Sequence, residues 1–181
     1  MMALLDSGRG YGRGSISLHW IGALAVLALM VSGYALLLLP RGPLFRDIVN
    51  VHLMIGWISV IVGFLRVGWR LMNPWPSLTS GRAWENRLAR LVHVALLALL
   101  LATLLSGYLA AATSPRLASI YGIFLAPTLG LDRSWHGPSE AWHAVFSHAL
   151  VAVLALHVTG ALKRSLFDRD GTLRRMMRPQ A

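Results

Sequence analysis

The 181-residue chain contains no cysteine, and only 13% of its residues are charged. The first absence removes disulfide scaffolds, cysteine-ligated zinc and iron–sulfur clusters from consideration. The second is about half the charged share of a typical soluble domain. Acidic residues are scarcer still: seven Asp and Glu stand against seventeen Lys and Arg, for a formal net charge of +10. What fills the space is apolar, and 56% hydrophobic content excludes a disordered chain. A charge of +10 suits nucleic acid only when it is gathered on a soluble basic face, so its position matters more than its size.

The charge is not gathered. Ile16 to Pro40, Leu91 to Pro115 and Ala141 to Leu162 each run for more than twenty residues without Asp, Glu, Lys or Arg, and Ile48 to Leu65 is slightly shorter. A bilayer span needs about 20 apolar residues, so these runs predict four transmembrane helices, at about 16–39, 48–71, 88–112 and 139–163. The expected fold is an all-α integral membrane four-helix bundle, with residues 1–181 as one domain. The first run is too long for the apolar core of a signal peptide and is followed by Pro40-Arg41, so it reads as a retained helix. A shorter charge-free stretch, Leu117 to Leu131, contains Pro127 and several glycines and reads as a lid or interfacial segment.

The basic residues orient the bundle. Thirteen of the seventeen lie in the N-terminus, the Arg66–Arg90 loop and the C-terminal tail; Arg41, Arg46, Arg116 and Arg133 lie on the other side. The positive-inside rule then puts both termini in the cytoplasm. The charge is a topology signal, and nucleic acid is not an expected partner. Trp20, Trp69, Trp75, Trp84, Trp135 and Trp142 fall near the expected helix ends, as an aromatic belt would, and Trp57 falls inside a span.

At least five of the seven histidines lie in or at the ends of these helices: His19, His52, His93, His143 and His157, with His148 also in the fourth. An ionisable side chain in a bilayer is costly, which makes each a functional candidate, although a lone one often serves as an interhelical hydrogen bond. Depth separates the two readings. His143 and His157 are fourteen residues apart, about 21 Å along a helix and within roughly 40° of one face. Given the orientation, His19 shares the cytoplasmic level of His157, and His52 shares the periplasmic level of His143. His93 lies near the cytoplasmic end of the third helix and has no evident partner in the sequence.

Two stacked histidine pairs need a ligand that two imidazoles can hold. Zinc requires further ligands, and no Cys, Asp or Glu lies at those depths. Haem requires only two axial ligands and is apolar enough to sit between helices. The absence of Cys-x-x-Cys-His makes any such haem non-covalent, b-type. Arg66, fourteen residues after His52, stands at the level of the His19–His157 pair as a candidate propionate partner, and Arg70 is the second choice. His93 is a candidate hydrogen-bond partner for a propionate or a quinone. Gly33 and Gly56 fall where small residues would let a macrocycle approach.

The chain resembles the bacterial cytochrome b561 family. The resemblance rests on Ser17-Leu18-His19-Trp20, Val51-His52 with Gly56, Arg66-Val67-Gly68-Trp69-Arg70, Trp142-His143, Leu156-His157 and the tail from Asp170 to Met177, and spans about Ser15 to Arg178. It implies two b haems with bis-histidine iron, His19 with His157 and His52 with His143, and electron exchange with the ubiquinone pool. Short members of the family are similar to superoxide oxidase, which passes electrons from periplasmic superoxide to ubiquinone. Longer relatives are cytochrome subunits that relay electrons between a dehydrogenase or hydrogenase and quinone. The chain carries no added soluble domain, which favours the stand-alone expectation.

Overall fold

The computed structural model describes residues 4–8, 10–74, 76, 82–114 and 131–179. The Leu117–Leu131 segment and Trp75 lie almost wholly outside that set. Four long helices dominate: α1 (Arg13–Leu38), α2 (Pro43–Met72), α3 (Ala83–Thr113) and α4 (His136–Leu166), followed by one short turn of helix, α5 (Thr172–Arg175). Each long helix contains a window apolar and long enough to cross a membrane. At about 1.5 Å per residue, each outlasts a hydrocarbon core of about 30 Å and carries its ends into the interface.

Local chemistry sets the ends. Pro40 follows the last residues of α1 and forbids continuation, while Pro43 occupies the first turn of α2, where its missing N–H costs nothing. Glu85 lies in the first turn of α3, where its charge complements the helix dipole. A 3-10 turn, Arg133–Trp135, leads into α4, held by Asp132 accepting from the Ser134 N–H at 2.9 Å. Gly171 begins α5 with φ +76°, a left-handed conformation that glycine adopts without strain.

The packing is inverted relative to a soluble bundle. Leu24, Val31, Leu37, Ile61, Leu91 and Val145 are more than half exposed, as lipid-facing side chains are. Among the described residues the buried set is mostly small and polar: Ser32, Ser59, Ser106, Thr113 and Ser139. Such residues let helices approach closely in lipid. Ser32, Ser106, Thr113 and Ser139 return their hydroxyl protons to carbonyls one turn earlier, which removes the penalty of a bare donor.

The helices form two hairpins. α1 packs along α2, α3 along α4, and α2 touches α3; among the described residues no Cα of α4 comes within 8 Å of α1 or α2. The space between α4 and the first hairpin is therefore bridged by side chains. The described N- and C-terminal segments lie at one end of the bundle, here called the terminal end, and the α1–α2 turn lies at the opposite end.

The terminal end is closed by polar ties. Asp6, its side chain fully buried, pairs with Arg70 at 3.1 Å and accepts from the Gly12 N–H at 2.8 Å and from the Ser15 hydroxyl at 2.7 Å. Trp69 donates to Ser15 at 3.0 Å, and Asn73 accepts from the Asp6 N–H at 3.2 Å. Burial in this cluster raises the pKa of Tyr11, against the opposing pull of Arg70. Trp20 donates to the Met176 carbonyl at 2.7 Å, which lays the C-terminal segment over α1. Removing one partner of a buried ion pair costs about 3–5 kcal/mol. Asp6→Ala is therefore expected to lower thermal stability in detergent by that order and to expose the first dozen or so residues to protease; a melt and a limited digest check both effects.

Candidate functional site

Four histidines cross the space between α4 and the first hairpin at two levels. At the terminal end the rings of His19 (α1) and His157 (α4) have centroids 6.4 Å apart, with planes inclined at 59°. At the opposite end His52 (α2) and His143 (α4) have centroids 6.3 Å apart, with planes at 85°. α4 contributes one ring to each level, and its fourteen-residue separation puts the levels about 21 Å apart.

The other nitrogen of each ring fixes its chemistry. His143 Nδ1 lies 2.9 Å from the Thr103 carbonyl, which can only accept, so Nδ1 carries the proton and Nε2 keeps its lone pair. His52 Nδ1 lies 2.8 Å from Ser32 Oγ. The Ser32 hydroxyl proton is directed to the Ala28 carbonyl at 2.8 Å, so the oxygen accepts from His52 Nδ1–H. The opposite-end pair thus presents two unprotonated Nε2 atoms, the arrangement that clamps a Lewis acid.

A family model described as prokaryotic cytochrome b561 matches residues 10–179. The chain belongs to the prokaryotic cytochrome b561 family. A protein from Escherichia coli (strain K12) described as cytochrome b561 homolog 2 is 28% identical over 185 aligned positions, covering 97% of this chain and 95% of that protein. Membership implies a membrane cytochrome that binds b-type haem and transfers electrons.

The cytochrome b561 geometry can be tested against that cofactor. An imidazole nitrogen bonds a first-row metal at about 2.0–2.1 Å and lies about 1.1 Å ahead of its ring centroid, so two imidazoles sharing one metal hold their centroids roughly 6.3 Å apart. The observed 6.3 Å and 6.4 Å match. Glycine provides the room for the rings at the opposite end. A Cβ on Gly107 would lie 2.8 Å from His143 Cε1, closer than any real contact, and one on Gly33 would lie 3.4 Å from His52 Cε1. A Cβ on Gly56 would meet nothing within 4 Å among the described residues.

The terminal-end pair differs in one respect. Arg66 Nη2 stands 2.9 Å from His19 Nδ1, while Nη1 donates to the Leu18 and His19 carbonyls at 3.1 Å each. An arginine only donates, so here Nδ1 accepts and Nε2 holds the proton. Ligation through Nε2 needs the reverse, so binding a metal there requires the NH2 group to leave Nδ1 for an anion.

The remaining histidines and arginines divide by their contacts. Arg70 pairs with Asp6 and donates to the Asn73 and Pro74 carbonyls. His93 does have a partner at its depth, contrary to the expectation from sequence: its ring lies 5.2 Å, centroid to centroid, from that of His157. The α3–α4 packing, invisible in the helix order, brings it there. His148 bonds the Ala144 carbonyl of its own helix and meets Tyr34 edge-on at 5.9 Å. His136 bonds the Ala110 carbonyl at 3.0 Å and lies 3.5 Å from Glu140. Trp57, inside the span, meets Tyr108 edge-on at 5.0 Å.

Sequence reasoning missed Ser32, Thr103 and Gly107. Ser32 stands beside the noted Gly33, and a serine in an apolar helix was the available signal. Thr103 acts through its carbonyl and Gly107 through what it lacks, and neither leaves a trace in residue type.

Proposed function

We propose that the chain is a di-haem b-type cytochrome carrying electrons across the bacterial inner membrane, with superoxide as donor and ubiquinone as acceptor. The observation that carries the di-haem reading is the repetition of a metal-spanning imidazole separation, 6.4 Å and 6.3 Å, at two levels of one helix. His19 with His157, and His52 with His143, would hold the irons as axial pairs. Filled axial positions leave no open site for binding oxygen and suit the groups to outer-sphere electron transfer.

The protein's own residues orient and anchor. Thr103 and Ser32 hold the ring protons of His143 and His52 on Nδ1, and Arg66 is placed to turn its NH2 group to a propionate. The basic excess at the terminal end makes that end cytoplasmic, so the His52–His143 level lies on the periplasmic side. Arg41, Arg46 and Arg133 lie there, and Arg41 is held over the Phe45 ring at 4.3 Å. Asp47, Asp132 and Glu140 offset these arginines, so steering of a small anion would come from the placement of individual arginines and not from the net charge of that end. Two superoxide anions would each give up one electron and leave as dioxygen, while ubiquinone takes the two electrons and two protons to become the quinol.

The test begins with a visible spectrum of the detergent-purified protein, in which low-spin bis-histidine bands are expected. A superoxide pulse should then reduce the haem at about 10⁸ M⁻¹s⁻¹, slowing as salt rises. Reduction many orders slower, with rapid reduction by a co-purifying dehydrogenase or hydrogenase, would replace superoxide by a relay role through the same residues. A colourless, fully folded protein would sink both.

A further inference from the structure

His148 lies five residues after His143 and nine before His157. At about 100° per residue it points roughly 140° around α4 from the first and roughly 180° from the second, away from both histidine pairs. It falls on an exposed stripe of α4 with Val145 and Ala152. Tyr34 holds the corresponding place on α1, in an exposed stripe with Leu27 and Val31. Among the described residues no Cα of α4 comes within 8 Å of α1, so the seam between the two stripes is an open groove.

Helix direction brings the two side chains together. A side chain on a helix leans toward that helix's N-terminus. Because α1 starts at the terminal end and α4 at the opposite end, Tyr34 and His148 lean toward each other along the groove. Their rings meet edge-on, with centroids 5.9 Å apart and planes at 88°. His148 Nδ1 lies 2.6 Å from the Ala144 carbonyl, which only accepts, so Nδ1 carries the proton and Nε2 keeps its lone pair. Among the described residues neither that Nε2 nor the Tyr34 hydroxyl has a hydrogen-bond partner. A donor and an acceptor thus stand side by side on a lipid-facing surface. His148 is twelve residues beyond the first of α4, about 18 Å along the helix. An imidazole exposed at that depth is costly, and such residues mark functional sites.

We propose that the α1–α4 groove binds the headgroup of a membrane quinone between Tyr34 and His148. Depth selects the occupant. Phospholipid ester and phosphate groups sit at the interface, outside a hydrocarbon core of about 30 Å, whereas a quinone headgroup is a small polar ring that enters that core. The chemistry agrees with the depth. The Tyr34 hydroxyl donates to a quinone carbonyl, and His148 Nε2 accepts from a hydroxyl of the quinol. Leu27 and Val31 on one side, with Val145 and Ala152 on the other, offer apolar walls to the isoprenoid tail. The site lies between the two histidine levels, about 8 Å along α4 from His143 and about 14 Å from His157. Its opening onto lipid lets quinone and quinol exchange without a gate.

This inference rests on the quinone-linked reading, and the experiment separates the two. Haem-loaded wild type, Tyr34→Phe and His148→Phe are purified in detergent, with haem content as the check on folding. Equilibrium dialysis then measures ubiquinone-1 on the oxidised protein and ubiquinol-1 on the fully reduced protein, so that no electron moves during binding. Losing one hydrogen bond is expected to weaken binding about 3–10-fold. Tyr34→Phe should show that loss toward ubiquinone-1, and His148→Phe toward ubiquinol-1 alone. His148→Gln, whose amide oxygen still accepts, should return quinol binding toward wild type. If His148→Phe does not insert in the membrane, His148→Leu makes the same comparison. Unchanged affinities in the variants, with wild type binding, would put the quinone elsewhere and overturn this inference alone. Equal weakening of both forms in His148→Phe would overturn it as well, since that is the mark of lost packing. So would variants that keep quinone but lose a co-purifying phospholipid or a second copy of the chain. A wild type that binds neither form fails the quinone-linked reading itself.

Discussion

His143→Ala and His157→Ala are each expected to halve the haem content of the purified protein, from two per chain to one. Each variant removes one ligand from one pair and leaves the other pair, about 21 Å away on the same helix, with both of its rings. The partner left behind, His52 or His19, cannot by itself complete a bis-histidine site. Haem counted against protein, with the spectrum of the survivor, measures the result. The survivor should stay low-spin in both variants, since its ligands are untouched. Transmembrane electron flow, followed as quinone reduction in vesicles, should fall by orders of magnitude in both, because either loss leaves only one carrier for the whole span. Loss of both haems from a single replacement would mean that the levels bind cooperatively rather than as separate clamps.

The second large effect is expected from a residue with no side chain. In Gly107→Val the first carbon alone would lie 2.8 Å from His143 Cε1, and the branched methyls add further bulk toward the ring. The His143 ring has to move, and moving breaks its 2.9 Å bond to the Thr103 carbonyl and its 6.3 Å register with His52. Loss of the opposite-end haem is expected, with the terminal-end haem retained. Gly107→Ala sharpens the experiment, because exchanging an interior helical glycine for alanine favours the helix by about 1 kcal/mol. Alanine should therefore preserve or raise helix content by circular dichroism while lowering haem affinity at one level. A stability loss would move both quantities down together. Undiminished haem in Gly107→Val would show that the ring tolerates displacement and that the cradle is not needed.

Much of this was legible before any coordinates. The charge-free runs follow from the cost of carrying charge through hydrocarbon, and that cost leaves its mark on residue type directly. The fourteen-residue intervals, His143 to His157 and His52 to Arg66, convert to depth because helix rise is constant. Depth was enough to match His19 with His157 and His52 with His143, without any knowledge of how the helices pack. The family resemblance was legible for a related reason, since its motifs lie at the same helix ends as the histidines.

Other features depended on which helix neighbours which. The order of four helices does not say that α3 lies against α4, so His93 looked solitary until packing set it 5.2 Å from His157. Arg70 and Arg66 are one turn apart and equally basic. Only the fold distinguishes their contacts, bringing Asp6 against Arg70 at 3.1 Å and Arg66 beside His19. The Thr103 carbonyl and the missing side chain of Gly107 carry no sequence signal, because a backbone acceptor and a clearance are properties of position. The sequence by itself determined that four helices are long and apolar enough to cross a membrane and how far apart along them the histidines lie, since these depend on solvation and a fixed helical rise. Tertiary structure alone decided what meets the Nδ1 atoms of His19, His52 and His143, because that is settled by contacts between residues distant in the chain.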